Sequence, residues 1–408
     1  MKMGKTGAGF RKCAWVCPIL FFILFIGGCH PILRKEVVRP EEALVRVRFF
    51  YPEFNDDMDL SSLESAVNHS LAYLSRQSPD RIFEYGKDKY SCRHVTESQK
   101  ELLSLIRTCK TPEDLSRALR KGFTLYKAKG RSEDPTVLFT GYYEPTYEAS
   151  LYPDNIHKYP IYKRPDDLLQ IDLSPFRDEL KGKNIVARIE GKKVVPYYSR
   201  KEIEDERALA GRRLELAWLK DPLDVSFLQI QGSGRLKLPD NSIIRVGYEA
   251  SNGRPYRSIG RYMLDRGFLS WEEASMQSIR RYLTDHRDAQ AEVLNQNPSY
   301  VFFRTSSGGP FGSINVPLTP GRSLALDSGL FPKGALCFVM TKKPVLDSAN
   351  RITGWKEFSR FMLNQDTGGA IKGAGRADLF WGNDDYAEIA AGHMKHEGDL
   401  YVLIKKPN

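Results

Sequence analysis

The chain has 408 residues, 41% of them hydrophobic and 11% aromatic, a globular composition that excludes a disordered or low-complexity chain. Its length suits two domains of ordinary size. The formal charge is +10, but residues 1–28 carry Lys2, Lys5, Arg11 and Lys12 and no acid, so without them it falls to +6. No block of Lys and Arg interleaved with aromatics remains to form a nucleic-acid track, whereas a mildly basic surface suits an anionic polymer.

The amino terminus has the three parts of a secretory signal: a basic start, an apolar run over 13–26, and small residues at Gly27-Gly28-Cys29. That run is shorter than the roughly 20 residues a membrane-spanning helix needs. Ile26-Gly27-Gly28-Cys29 resembles the lipobox of bacterial lipoproteins, which implies a signal peptide over 1–28 and a lipid on Cys29, the first mature residue. His30 stands where an inner-membrane retention signal places Asp, which by resemblance implies an outer-membrane lipoprotein facing the periplasm. Of the remaining cysteines, Cys92 and Cys109 are the nearer pair for oxidation in an exported chain, with Cys337 left over; such a bridge contributes about 3 kcal/mol. No CxxC or HExxH occurs, so neither a zinc site nor another cofactor is expected.

Residues 29–45 read as a tether. Leu60, Leu63, Val67, Leu71 and Leu74 recur at helical spacing, Thr96–Gln99 forms a capping-box pattern, and Thr111-Pro112-Glu113 opens a third helix. A strand follows over 136–143 and ends in the aromatic turn Tyr142-Tyr143. Short Tyr- and Pro-rich strands continue at 159–162 and 194–198, and Ser199–Glu202 is a capping box. The run 225–231 reads as a strand leading into Gly232-Ser233-Gly234, which lacks both the phosphate-loop and the dinucleotide fingerprints. From 256 onward the chain turns helical, with a capping box at Ser270–Glu273 opening a helix through Met276, Ile279 and Tyr282, and another helix over 291–296. A strand over 300–304 and the loop 306–310 lead to short strands at 323–327, 336–341, 358–364, 377–381 and 400–405. The frequent Gly and Pro between them argue for a small barrel or sandwich.

The chemistry-bearing stretch is 365–373, QDTGGAIKG, followed by RADLFWG at 376–382. Two aspartates bracket a glycine-rich bend. On a strand over 377–381, Asp378 and Phe380 share one face, and a carboxyl beside an aromatic is desolvated, which raises its pKa above the free value of about 3.9 and suits a general acid. The residues alone leave a second reading open, in which Asp366 caps the turn and Asp378 is an ordinary exposed strand residue.

Taken in order, GYYEP (141–145), YPIYKRP (159–165), QIQGSG (229–234), YRSIG (256–260), NPSYVFF (297–303) and the two aspartate motifs resemble the membrane-bound lytic murein transglycosylase A family over about residues 136–405. The carboxy-terminal part resembles the small module named for three aspartates, here Asp327, Asp366 and Asp378. The resemblance implies a mainly β chain with flanking α-helices. A double-psi β-barrel (46–140 and 310–408) would face an inserted β-rich domain (141–309) across a groove holding a peptidoglycan glycan strand. It implies catalysis by Asp378 with Asp366 nearby, and Asp327 in the same barrel. Tyr142, Tyr143, Gln231, Ser233, Tyr256, Arg257, Asp327 and Lys372 are the candidate substrate contacts. The tyrosines could equally pack the domain seam, and Gln231 could satisfy backbone.

The implied reaction cleaves the β-1,4 bond between N-acetylmuramic acid and N-acetylglucosamine and closes a 1,6-anhydro ring, with Asp378 first acid and then base. Phe380 and Trp381 are expected to desolvate it, while Lys372 and Arg376 turn toward substrate or Asp366. Two rivals stand beside this: a non-catalytic wall-binding protein and a hydrolase using Asp366 and Asp378 as a pair. Glycan strands, the outer membrane and other cell-wall enzymes are the candidate partners; nucleic acid is not.

Overall fold

The computed structural model describes residues 37, 39–131 and 136–407. The expected signal peptide over 1–28, the expected lipid site at Cys29 and most of the expected tether lie outside those residues. The tether reading fails from Pro40 on: Pro40–Ala43 is a helical turn and Leu44–Val47 a strand, with Ala43 and Leu44 buried in the core.

Six strands close into a barrel. Leu336–Leu346 runs antiparallel to Ile352–Asp366, which lies parallel to Ser323–Ala325. That short strand pairs antiparallel with Arg376–Phe380, and the latter lies parallel to Val137–Tyr142. The ring closes where His396–Lys405 pairs antiparallel with both Val137–Tyr142 and Leu336–Leu346. The rest of His396–Lys405 pairs with Phe123–Ala128, which carries Leu44–Val47 outside it.

Side-chain alternation along these strands sorts two cores. Phe139, Leu379, Val339, Met362 and Val402 meet in one cluster. The alternate set, Leu336, Phe338, Phe361, Leu363 and Leu403, meets Leu63, Val67, Leu102, Leu115 and Leu119 from three helices, Leu60–Leu74, Cys92–Thr108 and Pro112–Gly122. Asp59, Ser91 and Thr111 cap these helices through their side chains. The middle helix therefore starts at Cys92, earlier than the Thr96 box suggests. Polar ties fix the first helix to the barrel. Arg322, fully buried, reaches Asp56 Oδ2 at 2.6 Å, Ser62 Oγ at 2.9 Å and the Asp59 carbonyl at 2.7 Å. Gln365 donates to the Ala66 carbonyl at 2.7 Å.

The second sheet has six strands in the order Val301–Ser306, Ile243–Ser251, Ser233–Lys237, Thr146–Ser150, Glu215–Leu219, Tyr159–Tyr162. A three-stranded meander over Leu169–Asp172, Asn184–Glu190 and Lys193–Pro196 accompanies it. The described chain is thus mainly β, with helices at its flanks.

Three expectations are corrected. The run 225–231 belongs to a helix, Pro222–Gln231, because Asp221 accepts from the Leu223 amide, Pro222 sits at the first helical position, and Gly232 ends it at φ 77°. A short run with apolar residues at 225, 227, 228 and 230 does not distinguish strand from helix; these end signals do. The helix expected to open at Ser270 begins at Met276, capped by Ser275 with Ser278. Cys92 and Cys109 are both free thiols at opposite ends of one 17-residue helix, about 25 Å apart, far beyond bridging distance.

Replacing Arg322 with Met should cost about 3–5 kcal/mol in urea unfolding, because it strands the Asp56 carboxylate in the interior. A loss below about 1 kcal/mol would show that the tie between helix and barrel is not needed.

Candidate active site

The parallel pairing of Val137–Tyr142 with Arg376–Phe380 places Thr140 opposite Asp378 and Tyr142 opposite Phe380. Thr140 Oγ1 donates to Asp378 Oδ1 at 2.5 Å, joining residues 238 positions apart in sequence. Asp378 is half-buried, and Phe380, on the same strand face, is buried. Burial pushes the Asp378 carboxyl up to about 6 and Asp366 adds to this; Thr140 and the charge of Arg376 oppose it without prevailing. Phe380 packs with Tyr142, Leu318, Ala325 and Ile371, its ring 5.3 Å from that of Tyr142. Trp381 faces the other way. It lies in the core that holds Ala377 and Leu379, near Phe358 and Tyr386, so the expectation that it dries Asp378 is corrected by strand alternation.

Asp366 ends the strand Ile352–Asp366 and accepts three hydrogen bonds: from Tyr142 Oη at 2.8 Å, the Ser313 amide at 2.9 Å and the Thr367 amide at 2.8 Å. Three donors and no acceptor suit a carboxylate, although burial raises its pKa against them. Burial and the neighbouring Asp366 drive the Tyr142 hydroxyl well above its ordinary value, so it remains a donor. The Ser313 amide comes this close because residue 312 is glycine: a Cβ there would sit 2.3 Å from the Gln365 carbonyl oxygen.

Asp327 is a buckle. Its carboxylate accepts the Gly329 amide at 2.9 Å and the Gly373 amide at 2.8 Å, fastening the far end of the glycine-rich loop to the turn after Ser323–Ala325. Tyr256, from the chain segment that follows the second sheet's strand Ile243–Ser251, is half-buried against this loop; a Cβ on Gly369 would lie 3.7 Å from its own. Burial raises the Tyr256 hydroxyl, and it is close enough to feel the charges of Arg376 and Asp378. Arg257 and Lys372 are exposed.

The other expected contacts are engaged by the protein itself. Gln231 Oε1 accepts the Tyr143 amide at 2.9 Å and its Nε2 reaches Met276 Sδ, tying the two sheets together. Tyr143 and Ser233 are buried. At the same seam, buried Glu144 lies 3.3 Å from Arg245 and accepts from Asn383 at 3.2 Å. Residue-level reading missed Thr140 and Ser313. Thr140 stands two places before Tyr142, on the same strand face, a signal that becomes useful only once the parallel partner is known.

A half-buried acid whose pKa is lifted to about 6, beside a second carboxylate locked by three donors, can protonate a leaving oxygen and then take a proton back. Two family models match the chain: the MltA specific insert domain over residues 138–304 and the 3D domain over 322–404. Membrane-bound lytic murein transglycosylase A of Escherichia coli (strain K12) is 33% identical over 289 residues, 70% of either chain. A crystal structure of a membrane-bound lytic murein transglycosylase from Agrobacterium tumefaciens superposes with a TM-score of 0.73 at 32% identity, over 89% of this chain and 98% of that one. E. coli MltA with bound chitohexaose gives 0.66 at 26% identity, over 91% and 96%. With catalytic-type geometry on the barrel and a relative one-third identical across more than two-thirds of its length, the chain belongs to the membrane-bound lytic murein transglycosylase A family.

Proposed function

We propose that this protein is a peptidoglycan lytic transglycosylase. It cleaves the β-1,4 bond between N-acetylmuramic acid and N-acetylglucosamine and closes a 1,6-anhydro ring on the muramic acid. The observation that carries the reading is Asp378, whose pKa burial lifts to about 6 while Thr140 fixes one oxygen. Its protonated carboxyl gives a proton to the departing O4. The carboxylate so formed accepts the proton from the substrate's own O6 as that oxygen attacks C1. One carboxyl group suffices because the nucleophile is built into the sugar; a hydrolase needs a second to activate water. Asp366, held by Tyr142 and two amides, supplies negative charge to the oxocarbenium-like transition state.

On this reading the barrel is of double-psi type, formed by 46–140 and 310–408. The insert over 141–309 faces it across a groove, with the glycan running past Tyr256, Arg257, Lys372 and the Asp327-fastened loop. A relative solved with chitohexaose supports glycan binding. Cys29 carries the lipid that holds the enzyme on the outer membrane, facing the periplasm.

Asp378→Asn should leave folding intact and lower turnover of purified sacculi by at least 10²- to 10⁴-fold, with products read by mass spectrometry. Wild-type products should be one water lighter than hydrolysis products; reducing muramic ends would favour the paired-carboxylate hydrolase, and no cleavage would favour a wall-binding protein. Because the acid must start protonated, kcat/KM should fall as pH rises through about 6. Thr140→Val removes a donor that stabilises the carboxylate and should move that limb upward by about one pH unit. A downward shift would refute the role given to Thr140.

Stability should follow the same group. A carboxyl whose folded pKa is raised costs nothing below its unfolded value near 4; the penalty builds as pH climbs from there and is complete above about 6. Asp378→Asn should therefore stabilise the protein by about 1–3 kcal/mol at pH 8 and by nearly nothing at pH 4, read by urea unfolding. Equal effects at both pH values would mean that Asp378 is not desolvated.

A further inference from the structure

Arg376 opens the strand that carries Asp378 and, two residues before it, shares its face. Its Nε is buried without a hydrogen-bond partner, and among the described residues the side chain makes no hydrogen bond or ion pair. Arg376 is half-buried, whereas the buried arginines each have an anion of their own. Arg200 is held by Glu204 and by the carbonyls of Asn297 and Ser299, Arg322 by Asp56, and Arg360 by Asp57. With Nε shut off from water and no carboxylate of the described chain paired to the side chain, a counter-charge from outside the chain is its natural complement. The side chain is near enough to Tyr256 and Asp378 for its charge to act on both.

We infer that Arg376 is the recognition point for a carboxylate carried by the substrate, bound beside the catalytic acid. This rests on the glycan-cleaving reading above. Plain N-acetylglucosamine chains are neutral; in peptidoglycan the carboxylates belong to the muramic lactyl group, where it is unsubstituted, or to the stem peptide. A planar guanidinium suits a carboxylate in the fork geometry.

Binding of that carboxylate has a second effect. The groups facing Asp378 are Thr140 and Tyr142 on the parallel neighbour strand, Asp366, Tyr256 and Arg376, while the antiparallel neighbour Ser323–Ala325 offers no titratable side chain. Of these, Thr140 and Arg376 work against the protonated acid. Once a substrate carboxylate neutralises Arg376, only Thr140 still does, so the correct polymer helps keep the proton in place for its own cleavage.

The test measures binding to full-chain Asp378→Asn protein by calorimetry, with and without Arg376→Gln. Three probes are used: peptide-bearing glycan strands, strands stripped of peptide so that lactyl carboxylates are free, and chitohexaose. Arg376→Gln should weaken at least one carboxylate-bearing probe about 10- to 100-fold and leave chitohexaose within about twofold. A loss confined to peptide-bearing strands assigns the stem peptide, and a loss on stripped strands assigns the lactyl group. Arg376→Lys should recover part of the affinity and guards against misfolding of the Gln variant. Equal weakening of all three probes, or of none, overturns the inference while leaving the glycan reading intact. Failure of every probe to bind the Asp378→Asn protein overturns both.

Discussion

A carboxylic acid whose pKa is lifted to about 6 must be dry and yet reachable, and the molecule meets both demands by placing Asp378 on a barrel strand rather than a loop. Phe380 on the same face belongs to a small apolar cluster with Tyr142, Leu318, Ala325 and Ile371, which withholds water from one side. The position stays half-buried, which leaves part of the carboxyl open to solvent. Desolvation then outweighs both the Thr140 hydrogen bond and the Arg376 charge.

Rigidity around this acid comes from polar ties that end on backbone. Asp327 holds the Gly373 amide, Asp366 holds the Ser313 and Thr367 amides, and Gln231 holds the Tyr143 amide. Next to Asp366, Gln365 reaches into the helix Leu60–Leu74, which Arg322 also grips. The amino-terminal helices, which touch no substrate in the proposed mechanism, therefore brace the strand that delivers the second carboxylate. A side chain locked by its neighbours loses little further freedom when it binds or reacts, so these ties serve catalysis as well as stability.

The aspartates, the glycine bend and the short-stranded texture of the last hundred residues were legible in the chain because they depend on local rules: alternation, turn chemistry and motif order. Three kinds of feature were not. The apolar run ending at Gln231 fits helix and strand alike until its caps are weighed together. Trp381 looks like a neighbour of Asp378 in sequence, yet alternation sends it into the opposite core. Thr140 acquires meaning only through a parallel pairing, and neither strand announces its partner. The cysteine pair failed for a related reason: nearness in sequence became distance in space once a straight helix lay between them.

The contact between Thr140 and Asp378 spans 238 positions and leaves the second sheet between its two ends. Synthesis runs amino terminus first, so Thr140 and Tyr142 are made long before the acid, and the ring cannot close until the last strand, His396–Lys405, arrives. The two halves of this pair therefore meet only after the whole intervening sheet has been made.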